Sequence, residues 1–313
     1  MDEKFDEDVF CGYLLRGDLP DGIRCLGRFP EQAERYARYQ AVFEQEKYPV
    51  CAVEAPLDQI LSAYQAYYRA VFYLRADPGK AAEALRDRLT VLLQTDGKSS
   101  LDMLEQHELA RIFREKGYQF LGGKTGGYYG PYIWKTTEAE TFEVELPDGI
   151  QAYTVRFLDD FLSKSWLDYI SFGRMSTGGW AGADGIINCI KGSYDVESEN
   201  FQVSLLKHEA QHTRDLAAYQ DLSSEVLEYR AKLVELIYSR ERNLLVRFLG
   251  EAGRTDLNSG HSLASARLAE NFSRLLHKAP GELHALPIAE IQASARTLFA
   301  ASAALCRGSL AET

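Results

Sequence analysis

The sequence predicts an α+β fold in two parts, a mostly helical N-terminal region over residues 1–121 and a second domain over residues 122–313. Apolar residues recur at helical spacing through most of the first part. In the second part, alternating apolar and polar residues flank a Pro-Asp-Gly turn at 147–149, and mostly helical patterns follow residue 199. We therefore expect a small antiparallel or mixed sheet followed by helices in the second domain.

In the first part, two short runs bounded by Gly and Pro predict strands at residues 9–15 and 49–54. Apolar periodicity and helix-start residues predict helices over residues 31–46, 57–74, 80–93 and 100–116. The helix at 57–74 carries an aromatic face, which we interpret as core.

The second domain begins with a predicted hairpin, in which residues 141–146 pair with 151–158. A helix is expected at 159–169, then a glycine-containing loop around Trp180 and a buried strand at 185–190. Further helices are expected from about residue 199, over 224–248, from 258 to 276 and over 288–305.

The composition excludes some classes of protein. A net charge of −11 argues against a nucleic-acid partner, since such proteins need a basic surface. Five scattered cysteines fit reduced thiols better than a disulfide framework. The acidic N-terminus is unlike a secretory signal, and no apolar run approaches the length of a membrane span. We expect a soluble, cytoplasmic protein whose oligomeric state stays open.

The chemistry is predicted by His208-Glu209-Ala210-Gln211-His212, a His-Glu-x-x-His motif on an amphipathic helix. Residues four apart lie one turn apart on the same face, so His208 and His212 can bind one ion together. Zinc accepts imidazole nitrogens, and a catalytic zinc has three protein ligands and a water. Glu209 is placed to act as general base on that water.

A third ligand is expected from the next helix. Glu228 follows His212 by sixteen residues, about one turn beyond a helix start at Ser223-Ser224. Glu225 is the alternative, although its position in the first turn is also typical of an acid that stabilises the helix dipole.

These residues resemble the gluzincin clan of zinc metallopeptidases, which has two motif histidines and a glutamate on the following helix. The resemblance covers about residues 127–240. It implies a zincin-like catalytic unit, in which a small sheet and the active-site helix lie above a helical lower half. In such a unit His208, His212 and Glu228 would bind zinc and Glu209 would activate the water. It also implies that the strand at 185–190 forms the edge of the cleft, where an extended peptide can add as a further strand.

Other residues are candidates for supporting roles. His261, Tyr194 and Tyr229 are candidates for stabilising the oxyanion of the transition state. Asp215, one turn beyond His212, is a candidate for orienting a motif histidine, or it is a surface acid paired with a basic neighbour.

The sequence thus predicts a zinc-dependent hydrolase, most specifically a peptidase acting on a peptide or protein. Two other classes stay open, a non-catalytic zinc-binding or regulatory protein and an amidase that acts on small molecules. Glu209 argues against the first of these, because a structural zinc site does not need a general base.

Overall fold

The computed structural model describes residues 4–49, 53–95, 97–182, 184–219, 221–253 and 260–308. The fold is mixed α+β. The chain divides into two compact units, the first made of Met1–Thr136 and Asp159–Ser176 and the second of Thr137–Leu158 and Thr177–Thr313. The boundary expected after residue 121 therefore lies inside the first unit.

The helices of the first unit are α1 (Glu7–Leu15), α2 (Leu19–Leu26), α3 (Ala33–Tyr39), α4 (Leu57–Tyr68), α5 (Pro78–Leu93), α6 (Leu101–Met103), α7 (Ala110–Glu115) and α8 (Ser165–Ile170). Stretches of π-helix continue three of them, at Gln40–Glu44, Arg69–Tyr73 and Leu104–Leu109. The helices predicted over residues 31–46, 57–74, 80–93 and 100–116 are confirmed. The aromatic face of α4 is buried in the core of this unit, as expected.

Two predicted elements of the first unit differ from the structure. The strand predicted at 9–15 is wrong, because this segment is α1. Its start is stabilised by the Asp6 carboxylate, which accepts the N–H groups of Asp8 and Val9, and its buried residues Phe10 and Leu14 have helical spacing. In the segment 49–54, the described residues form no strand, while residues 50–52 lie outside the described part of the chain.

The strands are β1 (Gln119–Leu121), β2 (Lys124–Thr125), β3 (Tyr128–Tyr129), β4 (Tyr132–Trp134), β5 (Thr136–Leu146), β6 (Gly149–Asp159), β7 (Ser163–Lys164), β8 (Gly179–Ala181) and β9 (Ile187–Ile190). In the first unit, β1, β4 and β7 form one small sheet, and β2 and β3 form another. In the second unit the order is β5-β6-β9-β8, with β9 parallel to β6 and antiparallel to β8. The predicted hairpin is confirmed as β5 and β6.

The position of β9 corrects one expectation. All four of its residues are buried, as predicted, but the strand lies inside the sheet. The edge is formed by β8, which lies in the glycine-containing segment that was predicted to be a loop. The helix predicted at 159–169 is also shorter than expected, because β6 extends to Asp159 and α8 begins only at Ser165.

The helices of the second unit are α9 (His208–Ala218), α10 (Ser224–Tyr238), α11 (Asn243–Ala252), α12 (Gly260–Leu276) and α13 (Ile288–Gly308). A π-helical stretch, Asn200–Lys207, leads into α9. The single helix predicted over 224–248 is wrong, since extended backbone at Ser239 separates α10 from α11. The central helix α10 packs against α9, α12 and α13. No helix of the described residues is long and apolar enough to cross a membrane.

Candidate metal centre

The two motif histidines lie on one face of α9. His208 is the first residue of the helix, and His212 follows one turn later. Leu206 and Ala210 are buried and anchor this part of the chain in the core of the second unit. The Nε2 atoms of the two imidazoles are 2.9 Å apart, and the ring planes are nearly perpendicular. Both rings therefore present a nitrogen to the same point, as the four-residue spacing predicts.

Glu228 reaches that point from α10. Ser223 caps this helix by accepting the N–H of Val226, so Glu228 falls in its second turn. Glu228 Oε2 is 3.4 Å from His208 Nε2, and Oε1 is 3.5 Å from His212 Nε2. One ligand atom from each of these three residues lies within 4.8 Å of the other two. The structure thus brings together the three residues that the sequence analysis selected as metal ligands.

The donor atoms fit a zinc ion. Two ligands of a tetrahedral zinc with bonds of about 2.0–2.1 Å lie roughly 3.3 Å apart. The two nitrogen–oxygen distances, 3.4 and 3.5 Å, are close to this value. The nitrogen–nitrogen distance of 2.9 Å is shorter, so the two rings would have to separate slightly. Two imidazoles and one carboxylate also match the ligand set of catalytic rather than structural zinc sites.

A further carboxylate, Glu235, orients the first histidine. Its Oε1 is 2.7 Å from Nδ1 of His208, and both side chains are buried. When Nδ1 donates to Glu235, Nε2 is the ring nitrogen that faces the centre. Glu235 was not among the site residues predicted from the sequence. Its only signal was the seven-residue spacing from Glu228, which places both acids on one face of α10.

The electrostatics of the centre favour a cation. Burial by itself would lower the pKa of His208, but hydrogen bonds to Glu228 and Glu235 outweigh it and raise the pKa to about 10. Burial would also raise the pKa of Glu228, yet the imidazoles of His208, His212 and His261 hold the pKa of this carboxyl well below its usual range. The carboxylates thus stabilise positive charge at the position where the ring nitrogens converge.

Glu209 lies beside the ligands in the same cavity. Its carboxylate oxygen Oε2 accepts a hydrogen bond of 2.8 Å from the backbone N–H of Ala181, in the edge strand β8. Glu209, His208, His212 and Glu228 all line a cavity of about 570 Å³. The candidate base is therefore held in place by the sheet, and its other oxygen, Oε1, is left to take a proton.

The alternative third ligand, Glu225, is engaged elsewhere. Arg267 donates from Nε to Glu225 Oε1 at 2.5 Å, and Glu225 is not part of the converging group. Asp215 does not orient a histidine. It is buried and accepts hydrogen bonds from Gln211 at 2.8 Å and from Arg230 at 2.8 Å, so it links α9 to α10. Of the two candidate third ligands, Glu225 and Glu228, only Glu228 faces the motif histidines.

The candidates for oxyanion stabilisation are in three different positions. His261, near the start of α12, lines the cavity, and its Nδ1 is 2.9 Å from Glu228 Oε2. Tyr194 also lines the cavity. Tyr229 is buried away from it, and its hydroxyl accepts a hydrogen bond from Asn271. His261 and Tyr194 therefore remain candidates.

Comparison of the chain with protein-family models, with curated proteins and with solved structures finds no match.

Proposed function

We propose that the chain is a zinc-dependent hydrolase with a zincin-like catalytic unit, and that its substrates are peptides. The observation that carries the proposal is the convergence of His208, His212 and Glu228 within 4.8 Å, with Glu209 in the same cavity. This arrangement combines a metal-binding group with a neighbouring base, which is what metal-assisted hydrolysis requires.

In this proposal His208, His212 and Glu228 hold the zinc, and Glu235 keeps His208 in the required tautomer. Zinc bound there supplies a Lewis acid that polarises a carbonyl and makes a water more acidic. Glu209 takes the proton of the attacking water on Oε1, while the Ala181 N–H holds Oε2. The protonated Glu209 then donates the same proton to the leaving nitrogen.

His261 is the candidate for stabilising the negative charge of the transition state. Its Nδ1 faces Glu228, and the side chain is otherwise largely exposed at the cavity. A proton on Nε2 would point away from Glu228, where it can be donated to an oxyanion. Tyr194 also lines the cavity and is the second candidate.

The edge strand β8 supports a peptide as substrate. Gly178 accepts the N–H of Ile190 in β9, and Gly182 donates to the carbonyl of Ile186 just before β9. The residues Gly179 and Ala181 therefore direct their backbone groups away from the sheet. A Cβ at Gly179 would lie 2.6 Å from the Leu205 side chain, so glycine is required for this close approach. After the Ala181 N–H has bound Glu209, the N–H and C=O of Gly179 and the C=O of Ala181 remain for an extended chain.

The two other classes differ from a peptidase in what they would hydrolyse. A non-catalytic zinc protein should hydrolyse nothing, and the cavity that contains Glu209 does not support it. A small-molecule amidase would use the same centre but would not need the outward-facing groups of β8. Hydrolysis of small amides alone, with unstructured proteins left intact, would favour the amidase.

The test has two parts. First, the zinc content of the wild type is compared with that of His212→Ala and Glu228→Ala. We expect about one zinc per chain in the wild type and a strong loss in both variants, and equal zinc in all three would refute the centre. Second, Glu209→Gln should retain zinc and lose cleavage of an unstructured protein. Full cleavage by Glu209→Gln would refute the proposed mechanism.

A further inference from the structure

A second cavity adjoins the candidate centre. It has a volume of about 560 Å³, and Ser198, Asn200, Ser239 and Asn243 are among its lining residues. It shares two lining residues, Ser204 and Arg247, with the cavity of the metal centre. Because Ser204 lies one helical turn before His208, the second cavity begins about one turn from the ligands. The two cavities therefore adjoin in the second unit, with Ser204 and Arg247 at their common boundary.

Arg247 lies where the two cavities meet, and its guanidinium has few partners. The side chain is 53% exposed, and its ion pair with Glu235 Oε2 is long, at 3.7 Å. The guanidinium also lies over the ring of Phe248, 5.5 Å from the ring centre. By contrast, Arg230 is buried and donates to Asp215 at 2.8 Å. Among the described residues, Arg247 therefore has no close carboxylate partner, and its side chain lines both cavities.

Among the described residues, the lining of the second cavity has one cation, Arg247, and two acids. Glu199 is one of its two acids, and its Oε1 already accepts hydrogen bonds from the Ser239 hydroxyl and the backbone N–H of Arg240. The other acid, Glu241, is exposed and stands between Arg240 and Arg242 in the loop that joins α10 to α11. Because Glu199 is already hydrogen-bonded and the ion pair of Arg247 with Glu235 is long, Arg247 is the charged group of this lining that an anionic group of a ligand can reach.

We propose that Arg247 determines specificity by binding a carboxylate of the substrate in the second cavity. Guanidinium and carboxylate groups match in geometry and form paired, charge-assisted hydrogen bonds. The carboxylate belongs either to the C-terminus of the peptide or to an Asp or Glu side chain close to the cleaved bond. This inference rests on the proposed peptidase function, because the peptide must lie across the centre to reach both cavities.

The experiment compares peptides that differ only in this group. Zinc-loaded Glu209→Gln protein is titrated calorimetrically with matched short peptides, one with a free C-terminus, one amidated, and one amidated with an internal glutamate. The same titrations are made with Arg247→Ala in the Glu209→Gln background. In parallel, the wild type and Arg247→Ala are incubated with the same peptides, and the products are identified by mass spectrometry. Arg274→Ala, which removes an exposed arginine of the same unit outside both cavities, is the matched control.

We expect a carboxylate-bearing peptide to bind about 10- to 100-fold more tightly than the fully amidated one, the range for a hydrogen bond to a charged group. Arg247→Ala should remove that preference while zinc content stays at the wild-type level, and Arg274→Ala should keep it. Whether the free C-terminus or the glutamate carries the preference identifies the source of the carboxylate.

The possible failures are distinguishable. If the wild type cleaves all the peptides equally and Arg247→Ala changes nothing, the peptidase proposal stands and this inference is wrong. If a carboxylate-dependent preference in binding appears without cleavage by the wild type, Arg247 has the inferred role and the peptidase proposal is wrong. If the peptides are neither bound nor cleaved, both are wrong.

Discussion

His208 and Glu235 form a buried pair, with 2.7 Å between the ring Nδ1 and the carboxylate Oε1. The pair joins the first residue of α9 to the fourth turn of α10, the helix that also supplies Glu228. Helix α10 thus supplies one predicted ligand, Glu228, and also orients another, His208, through Glu235. A metal-binding histidine that donates its other ring proton to a carboxylate is fixed in orientation and becomes a stronger ligand.

The first prediction concerns this pair. Glu235→Leu should lower zinc affinity about 10- to 100-fold, because His208 loses the partner that fixes its tautomer and ring orientation. Glu235→Gln should lose less, since the amide oxygen can still accept the proton of Nδ1. The measurement is a competition between the protein and a chelator of known zinc affinity. Glu241→Gln changes an exposed acid instead and should leave zinc affinity as it is. Unchanged affinity in Glu235→Leu would show that the pair does not orient a ligand.

The second prediction separates two roles for His261. If its Nε2 stabilises the oxyanion, His261→Ala should lower kcat about 10²- to 10³-fold, with zinc content unchanged. If it only holds Glu228 through the 2.9 Å contact of Nδ1, zinc content should fall instead. The measurements are zinc analysis and steady-state kinetics on one cleaved peptide. The control is His284→Ala, an exposed histidine that does not line the cavity.

The third prediction concerns stability. Arg230→Met leaves Asp215 buried without its cation, a change that costs roughly 3–5 kcal/mol for a buried ion pair. Arg230 also donates to Ser302 on α13, so α9, α10 and α13 all lose a link. The urea midpoint of the second unit should therefore fall clearly. Breaking the exposed pair of Arg274 and Glu270 by Arg274→Ala should shift the midpoint little, since exposed pairs contribute about 0–1 kcal/mol. Similar midpoints for both variants would contradict this.

The ligands could be predicted from the sequence because their spacing is local. His208 and His212 are one helical turn apart, and the helix start before Glu228 is marked by Ser223. Glu235 could not be selected, since many acids stand seven residues from another on a helix. The choice between Glu225 and Glu228 needed the contact with Arg267, which lies 42 residues away in the chain.

The sheet was also harder to predict, because its strands depend on contacts between residues that are distant in the chain. Strand β8 consists of Gly179, Trp180 and Ala181, and its composition is typical of a loop. Its strand geometry depends on pairing with β9, which a local pattern does not contain. Likewise, α1 was mistaken for a strand because seven residues carry too little periodicity to separate the two forms, while Asp6 as a helix cap was overlooked.

The last prediction tests a buried acid of the first unit. Burial raises the pKa of Glu105 to about 7, although Tyr64 and the N–H of Gly123 donate to its carboxylate and lower the pKa. The folded state therefore binds this proton more tightly than the unfolded state. The resulting stabilisation is fully present below the unfolded pKa of about 4.5 and is lost as pH rises through 7. A shift of this size corresponds to roughly 3 kcal/mol. Glu105→Gln, which stays neutral, should remove this loss. The melting temperature of the first unit should then fall less between pH 5 and pH 8 than in the wild type, and an identical fall in both proteins would show that Glu105 does not titrate in this range.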